Sequence, residues 1–420
     1  MKSGTGVNRT RAALGAGRAR RCVSTVSAAL GALAIMSAGL APAAVADDIQ
    51  SQQWYLDAMN AQGLWKVSTG KGITVAVIDS GVNPETKSLR GQMLPGVDVG
   101  AGSANDDSVG HGTSMAELIA GSGDGGSLKG IAPGAKIIPI RTSGNAELAK
   151  KGDLAAKAIR AAADSDAQII NMSFGSDYPI DGGLEAVQYA QSKGKLLIAS
   201  VGNSAEDGNY IGYPAKYPGV VAVSAIDENG EVAKFSEYGS YVDLAAPGVD
   251  VPTWCDNTFK SYCAKSNGTS QATAITSGAA ALIWAAHPKW TANQVLRVMI
   301  DTAGRDWPKN TPSRYLGYGT IRPAQVLLKG KGDPGPADID PLTGKKTPGL
   351  SPANGGTSLS TSAADSSQGS KTASGGQTSA AGSSSGSSGN TAFWVALGAA
   401  AAVVVIGGAG FAVLRARRNV

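Results

Sequence analysis

The chain of 420 residues is poor in the side chains that most often carry polar chemistry, with only two histidines and three cysteines. A general base of the imidazole type therefore has two candidates, His111 and His287. His287 precedes Pro288 at the end of an apolar run, where a histidine suits the helix dipole and the stop, and it reads as structural. Of the cysteines, Cys22 lies in the N-terminal export segment described below. That leaves Cys255 and Cys263, an even pair that predicts a disulfide closing a small loop in an oxidising exterior. Two isolated thiols make a poor metal site, and no metal ligand set or cofactor motif is recognised. A structural calcium ion is not identifiable from the sequence. A strong charge of one sign is also missing. The formal net charge of +5 includes Lys2, Arg9, Arg11, Arg18, Arg20 and Arg21 near the N-terminus and Arg415, Arg417 and Arg418 at the C-terminus. Without the first six the balance is −1, and without the last three it is −4, so no nucleic-acid partner is expected.

Both ends read as targeting segments. Residues 1–46 form a signal peptide, with an arginine-rich start, an apolar stretch from Val23 to Leu40 and Ala44-Val45-Ala46 as the cleavage site. Arg20-Arg21 leaves the general and the twin-arginine export routes both open. Residues 391–414 read as a single transmembrane helix: the uncharged run from Ala392 to Leu414 would be about 35 Å long, against a hydrocarbon core of about 30 Å. Arg415, Arg417 and Arg418 follow it at once, which places the tail 415–420 in the cytoplasm and everything before the helix outside. Residues 329–390 contain Pro and Gly at first and then mostly Ser, Gly, Thr and Ala, a composition that predicts a disordered linker. The expected location is the cell membrane, single-pass, with a globular domain at 47–328 facing outward.

Three motifs in that domain carry chemistry. Ile73-Thr-Val-Ala-Val-Ile-Asp79 is an apolar, β-branched run that predicts a buried parallel strand delivering Asp79 to its carboxyl end. Gly110-His111-Gly112-Thr113 reads as the opening of a helix, with the imidazole on the first turn. Gly268-Thr269-Ser270 precedes an alanine-rich apolar helix from Ala272 to Ala286. Taken singly, each has a plain explanation, because Asp favours turns and Ser and Thr favour helix caps. Taken together they supply an acid, a base and a hydroxyl. A serine hydroxyl is a weak nucleophile at neutral pH and needs an imidazole to take its proton and a carboxylate to orient the imidazole.

In that order the motifs resemble the subtilisin-like serine proteases, and the resemblance covers roughly Trp54 to Leu328. Ala199-Ser200-Val201-Gly202-Asn203 is similar to the family's oxyanion segment. Gly212-Tyr-Pro-Ala-Lys-Tyr-Pro218, Phe235-Ser236 and Ala246-Pro247-Gly248 continue the likeness. The resemblance implies Ser270 as nucleophile, His111 as general base and then acid, and Asp79 as the orienting acid. Asn203 and the Ser270 amide would be the oxyanion donors. A polypeptide substrate would pair as an added strand with Ser173-Phe174-Gly175 and Ser200-Val201-Gly202. Gly212 would form the pocket floor and leave room for a sizeable apolar group. A cis Tyr213-Pro214 bond is expected on the same ground.

Three positions depart from the pattern. Gln271 and Ala274 replace a frequent methionine and proline, and Glu117 stands where the family has a small residue and reads as a solvated surface charge. The expected fold is α/β and subtilisin-like, a mostly parallel twisted sheet with helices on both faces, from strands such as Lys195 to Ser200 and Val220 to Ala225 and helices such as Asp153 to Asp164. Between Asp47 and Asp79 there is too little chain for a folding propeptide as well as the first strand, so Gln52 to Trp65 reads as an arm laid on the body. Signal, protease, low-complexity stalk, membrane helix and basic tail together resemble the mycosins, the membrane-anchored proteases of actinobacterial type VII secretion systems. That likeness implies type VII secretion machinery as a partner. A scaffold or maturation component of a secretion complex, with catalysis secondary, is the alternative function.

Overall fold

A computed structural model describes residues 49–100, 102–142, 152–210 and 212–350. The first strand, β1 (Thr74–Asp79), shows why an unbroken apolar run is needed. Val75 and Val77 point into one hydrophobic core while Ala76 and Ile78 point into another, so both faces of the strand are buried. The same alternation recurs in β5 (Leu196–Ser200), with Leu196 and Ile198 on the first face and Leu197 and Ala199 on the second.

Seven strands pair in the order β2-β3-β1-β4-β5-β6-β7, and every pair is parallel. The others are β2 (Val97–Asp98), β3 (Lys136–Arg141), β4 (Ile169–Met172), β6 (Val220–Ile226) and β7 (Leu244–Pro247). The chain runs from β1 toward β3 and β2 on one side and through β4 to β7 on the other. Strand order thus reverses at β1, the place where open α/β sheets leave a crevice at their carboxyl ends. Asp79 is the last residue of β1 and stands at that crevice.

Helices cover both faces, as expected. The first core takes in α3 (His111–Ala120), α6 (Thr269–Ala286) and α7 (Ala292–Thr302). The second takes in α4 (Gly152–Asp164) and α5 (Gly183–Ser192). Every residue of α6 from Thr269 to Trp284 is buried, so this helix runs through the core rather than along it. Its hydroxyls stay satisfied inside apolar surroundings by bonding back one turn: Thr273 Oγ1 donates to the Thr269 carbonyl and Thr276 Oγ1 to that of Ala272, each at 2.8 Å. Ala274 continues the helix without a break.

The N-terminal arm is two short helices, α1 (Trp54–Ala58) and α2 (Ala61–Trp65). Tyr55 and Leu64 are fully buried, and the indoles of Trp54 and Trp65 donate to the carbonyls of Val249 and Ile131. A hairpin, β8 (Val251–Trp254) with β9 (Tyr262–Ser266), is closed by the Cys255–Cys263 disulfide. The Tyr213–Pro214 bond is cis.

The expected linker begins too early in the sequence reading. Residues 329–350 follow α8 (Pro323–Leu327), and their later part lies against α7. Asn293 Nδ2 donates to the Ala337 carbonyl, Gln294 Nε2 to that of Gly335 and Arg297 Nη2 to that of Ile339. Composition misleads here because this segment is held largely through its backbone carbonyls by polar side chains of a neighbouring helix, with Leu342 packed against the first core. The signal peptide at 1–46, the linker from residue 351, the membrane helix at 391–414 and the tail at 415–420 lie outside the described residues. Among the described residues no helix is long and apolar enough to cross a membrane.

Candidate active site

Asp79 and His111 meet at the rim of the sheet. The carboxylate is only 1% exposed, and its two oxygens lie 2.8 and 2.9 Å from His111 Nδ1. Asp79 Oδ1 also accepts from the Ser80 amide at 2.8 Å, which fixes the carboxylate plane. With an acceptor on both sides of Nδ1, that nitrogen holds the proton and Nε2 is left with a lone pair. Burial alone would lower the His111 pKa. The Asp79 charge and hydrogen bond, with the Asp107 charge behind them, outweigh it, so the imidazole stands above its ordinary value. The close approach of α3 to β1 depends on Gly112, where a methyl group would sit 2.1 Å from the Gly81 carbonyl oxygen.

Asp107 is a site residue that the sequence reading missed. Its Oδ1 accepts from the amides of Val109 and Gly110 and from the Ser80 hydroxyl; its Oδ2 accepts from the amide and hydroxyl of Thr113. One buried carboxylate thereby caps the helix that carries His111 and ties it to the residue after Asp79. An acid three residues before the Gly110 cap was the available signal.

Ser270 is the second residue of α6, so its amide has no acceptor within the helix. Its hydroxyl donates to the Ser173 carbonyl at 3.0 Å, and the Ser173 hydroxyl donates back to the Ser270 carbonyl at 3.1 Å. The Ser270 proton is thus turned toward Ser173 and not toward the imidazole, although His111 and Ser270 line the same cleft. Asn203 is oriented unambiguously. Its Oδ1 accepts from both the amide and the hydroxyl of Thr269 at 2.9 Å, and a backbone amide can only donate, so this atom is the oxygen and Nδ2 is the one left free.

The cleft measures about 330 Å³ and brings together Ser173, Phe174, Gly175, Ser200, Gly202 and Gly212 from the expected substrate-binding set. Val201 is the exception. Strand alternation turns its side chain into the second core, fully buried, so it can contribute only its backbone. His287 lies outside this region and stacks on Trp290, with ring centroids 3.8 Å apart.

Glu117 also corrects the sequence reading. It is fully buried, because α3 lies between the sheet and the β8–β9 hairpin and has no solvent face there. The Tyr262 hydroxyl donates to Glu117 Oε2 at 2.9 Å, while Glu117 Oε1 has no well-formed partner. Burial raises the carboxyl pKa against the lowering effect of donors on Thr86, Ser88, Tyr262 and Trp254. A carboxyl raised in the folded state favours folding most at pH below its unfolded value, and that contribution is lost as pH rises toward the folded value. Glu117→Gln is therefore expected to flatten the decline of stability above about pH 4.5, by up to about 1.4 kcal/mol per pH unit. Denaturant unfolding from pH 4 to 8 measures it, and identical slopes in the two proteins would reject the buried-acid account.

A parallel α/β sheet with an imidazole–carboxylate pair at its carboxyl edge and a serine at a nearby helix start is the architecture of a serine hydrolase. Comparison with known proteins narrows the class. A family model described as the subtilase family matches residues 70–319. Subtilisin Savinase of Lederbergia lenta is 34% identical over 239 residues, spanning 56% of this chain and 84% of its own. Among solved structures, the MycP3 protease from the type VII (ESX-3) secretion system matches with a TM-score of 0.57 and 30% identity, over 65% of this chain and 87% of that one. MycP1 from Mycobacterium smegmatis gives 0.58 and 27%, over 68% and 86%. The chain belongs to the subtilase family, and it is a serine endopeptidase.

Proposed function

We propose that this protein hydrolyses extended polypeptide segments at the outer face of the cell membrane through an acyl-enzyme, with Ser270 as nucleophile. The observation that carries the reading is the buried Asp79 carboxylate set squarely on His111 Nδ1 in the cleft that Ser270 also lines. In the first step the Ser270 hydroxyl turns from the Ser173 carbonyl to His111 Nε2. Its oxygen attacks the substrate carbonyl as the proton passes to the imidazole, and Asp79 stabilises the imidazolium. The oxyanion is held by Asn203 Nδ2 and the Ser270 amide. His111 then returns the proton to the leaving amine, and water repeats the sequence on the acyl-enzyme. Cleavage of an unstructured protein such as casein by the purified full-length chain, abolished by a sulfonyl fluoride, tests this reading. No cleavage of any extended peptide by a folded preparation would count against it.

Asn203→Ala removes one preorganised donor from the position where charge develops. A loss of 10²- to 10³-fold in kcat with little change in KM is expected, on the scale known for such a donor in subtilisin, a member of the same family. Steady-state kinetics on a peptide substrate decide it; a change confined to KM would mean that Asn203 binds substrate and not the oxyanion.

The location outside the membrane is supported by the Cys255–Cys263 disulfide, which suits an oxidising compartment, and by the apolar 391–414 segment with its following arginines. Likeness to MycP1 and MycP3 supports a place beside type VII secretion machinery. Digestion of intact cells by an added protease, followed by detection of a C-terminal tag, tests the orientation.

A further inference from the structure

Behind the two glycines of the substrate cleft stands a carboxyl group that no role described so far requires. Glu237 is 3% exposed, yet it lines the cleft. One of its oxygens, Oε1, accepts from the Ser204 amide at 3.2 Å, while Oε2 has no hydrogen-bond partner. The position of that free oxygen is fixed by its neighbours: a methyl group on Gly202 would lie 2.3 Å from it, and one on Gly212 3.6 Å. Oε2 therefore occupies the space that a side chain on Gly202 would need, beside Gly212, whose own side-chain direction is closed by the Val201 carbonyl at 2.4 Å, and Glu237 stands in the wall of the cleft expected to hold an apolar group. A buried, unpaired carboxyl oxygen is costly unless something arrives to pair it.

The rest of the cleft supplies no such partner. Apart from His111, its charged lining residues are Asp177 and Glu237, both acidic. From these observations, and resting on the protease reading above, we infer that Glu237 is a specificity determinant that selects substrates with lysine or arginine before the scissile bond. The cationic head would meet Oε2 while its methylene stem lies along the cleft. An apolar side chain at the same place would instead bury the carboxyl further without pairing it, so the pocket discriminates by penalty as well as by attraction.

The electrostatic setting agrees. Burial, with the Asp177 charge across the cleft, pushes the Glu237 carboxyl up to about 7 against the pull of the Ser204 amide, and the Tyr241 phenol also faces it. A bound cation favours the ionised form. Selection for lysine over leucine should consequently strengthen as pH rises through about 7. Taking the ratio of the two substrates cancels the titration of His111, which both share.

The test uses the purified full-length chain and a set of quenched peptides that differ only before the scissile bond, with Lys, Arg, Leu or Gln there. Wild type is expected to favour Lys and Arg over Leu by at least 10-fold in kcat/KM, and Glu237→Gln to reduce that ratio at least 10-fold. As a readout independent of turnover, n-butylguanidinium should slow fluorophosphonate labelling of Ser270 in wild type at concentrations at least 10-fold lower than in Glu237→Gln. Labelled wild-type protein that prefers Leu, with a ratio unmoved by Glu237→Gln, overturns the inference and leaves the protease reading standing. A folded chain that neither labels nor cleaves overturns the protease reading and this inference with it.

Discussion

Ser270→Ala is expected to lower kcat about 10⁶-fold and to abolish labelling by a fluorophosphonate probe, with the fold intact. The size is that found in subtilisin, a member of the same family, when the nucleophile is removed. The physical ground in this protein is that the hydroxyls bonded around Ser270 are already committed. Ser173 is buried and spends its proton on the Ser270 carbonyl, and Thr269, although adjacent, donates to Asn203. Removing Oγ therefore leaves only the oxyanion donors and substrate binding to accelerate attack by water. Mass spectrometry of the labelled wild type locates the site, and modification at any other residue would reject Ser270 as nucleophile. The same variant separates catalysis from scaffolding: secretion that survives the alanine but not deletion of the whole chain would make the scaffold function primary.

How much of this was legible in the sequence depends on which interactions a residue type announces. The parallel strands announced themselves, because burial on both faces leaves runs such as Val75 to Ile78 with no polar interruption. The places of Asp79, His111 and Ser270 in the fold were legible because each sits where an element ends or begins, and those boundaries have strong local signals. Glu117, Glu237 and the 329–350 segment were not. Each is decided by what a distant part of the chain lays over it: the β8–β9 hairpin over Glu117, the two cleft glycines beside Glu237, and the polar side chains of α7 against the backbone of residues 335–339. A carboxylate carries the same local signal whether it ends up solvated or enclosed.

Asp79→Asn should lower kcat about 10⁴-fold, the loss such a replacement produces in serine proteases, while leaving Ser270 and His111 in place. The local bonding says why the amide cannot substitute. Asp79 Oδ1 accepts from the Ser80 amide, which can only donate, so asparagine must keep its oxygen there and put its NH2 group in the place of Oδ2, 2.9 Å from His111 Nδ1. A donor at that place opposes the tautomer protonated on Nδ1 and favours the one with the ring proton on Nε2, the atom that has to receive the proton of Ser270. The base is then occupied before the reaction begins. Loss of the negative charge also removes what holds the imidazole above its ordinary pKa, so the acid limb of the remaining kcat/KM profile should move to lower pH. An acid limb that stayed in place, or a loss under 10-fold, would mean that the carboxylate neither orients nor charges His111, and the role drawn for Asp79 from its two short contacts would have to be given up.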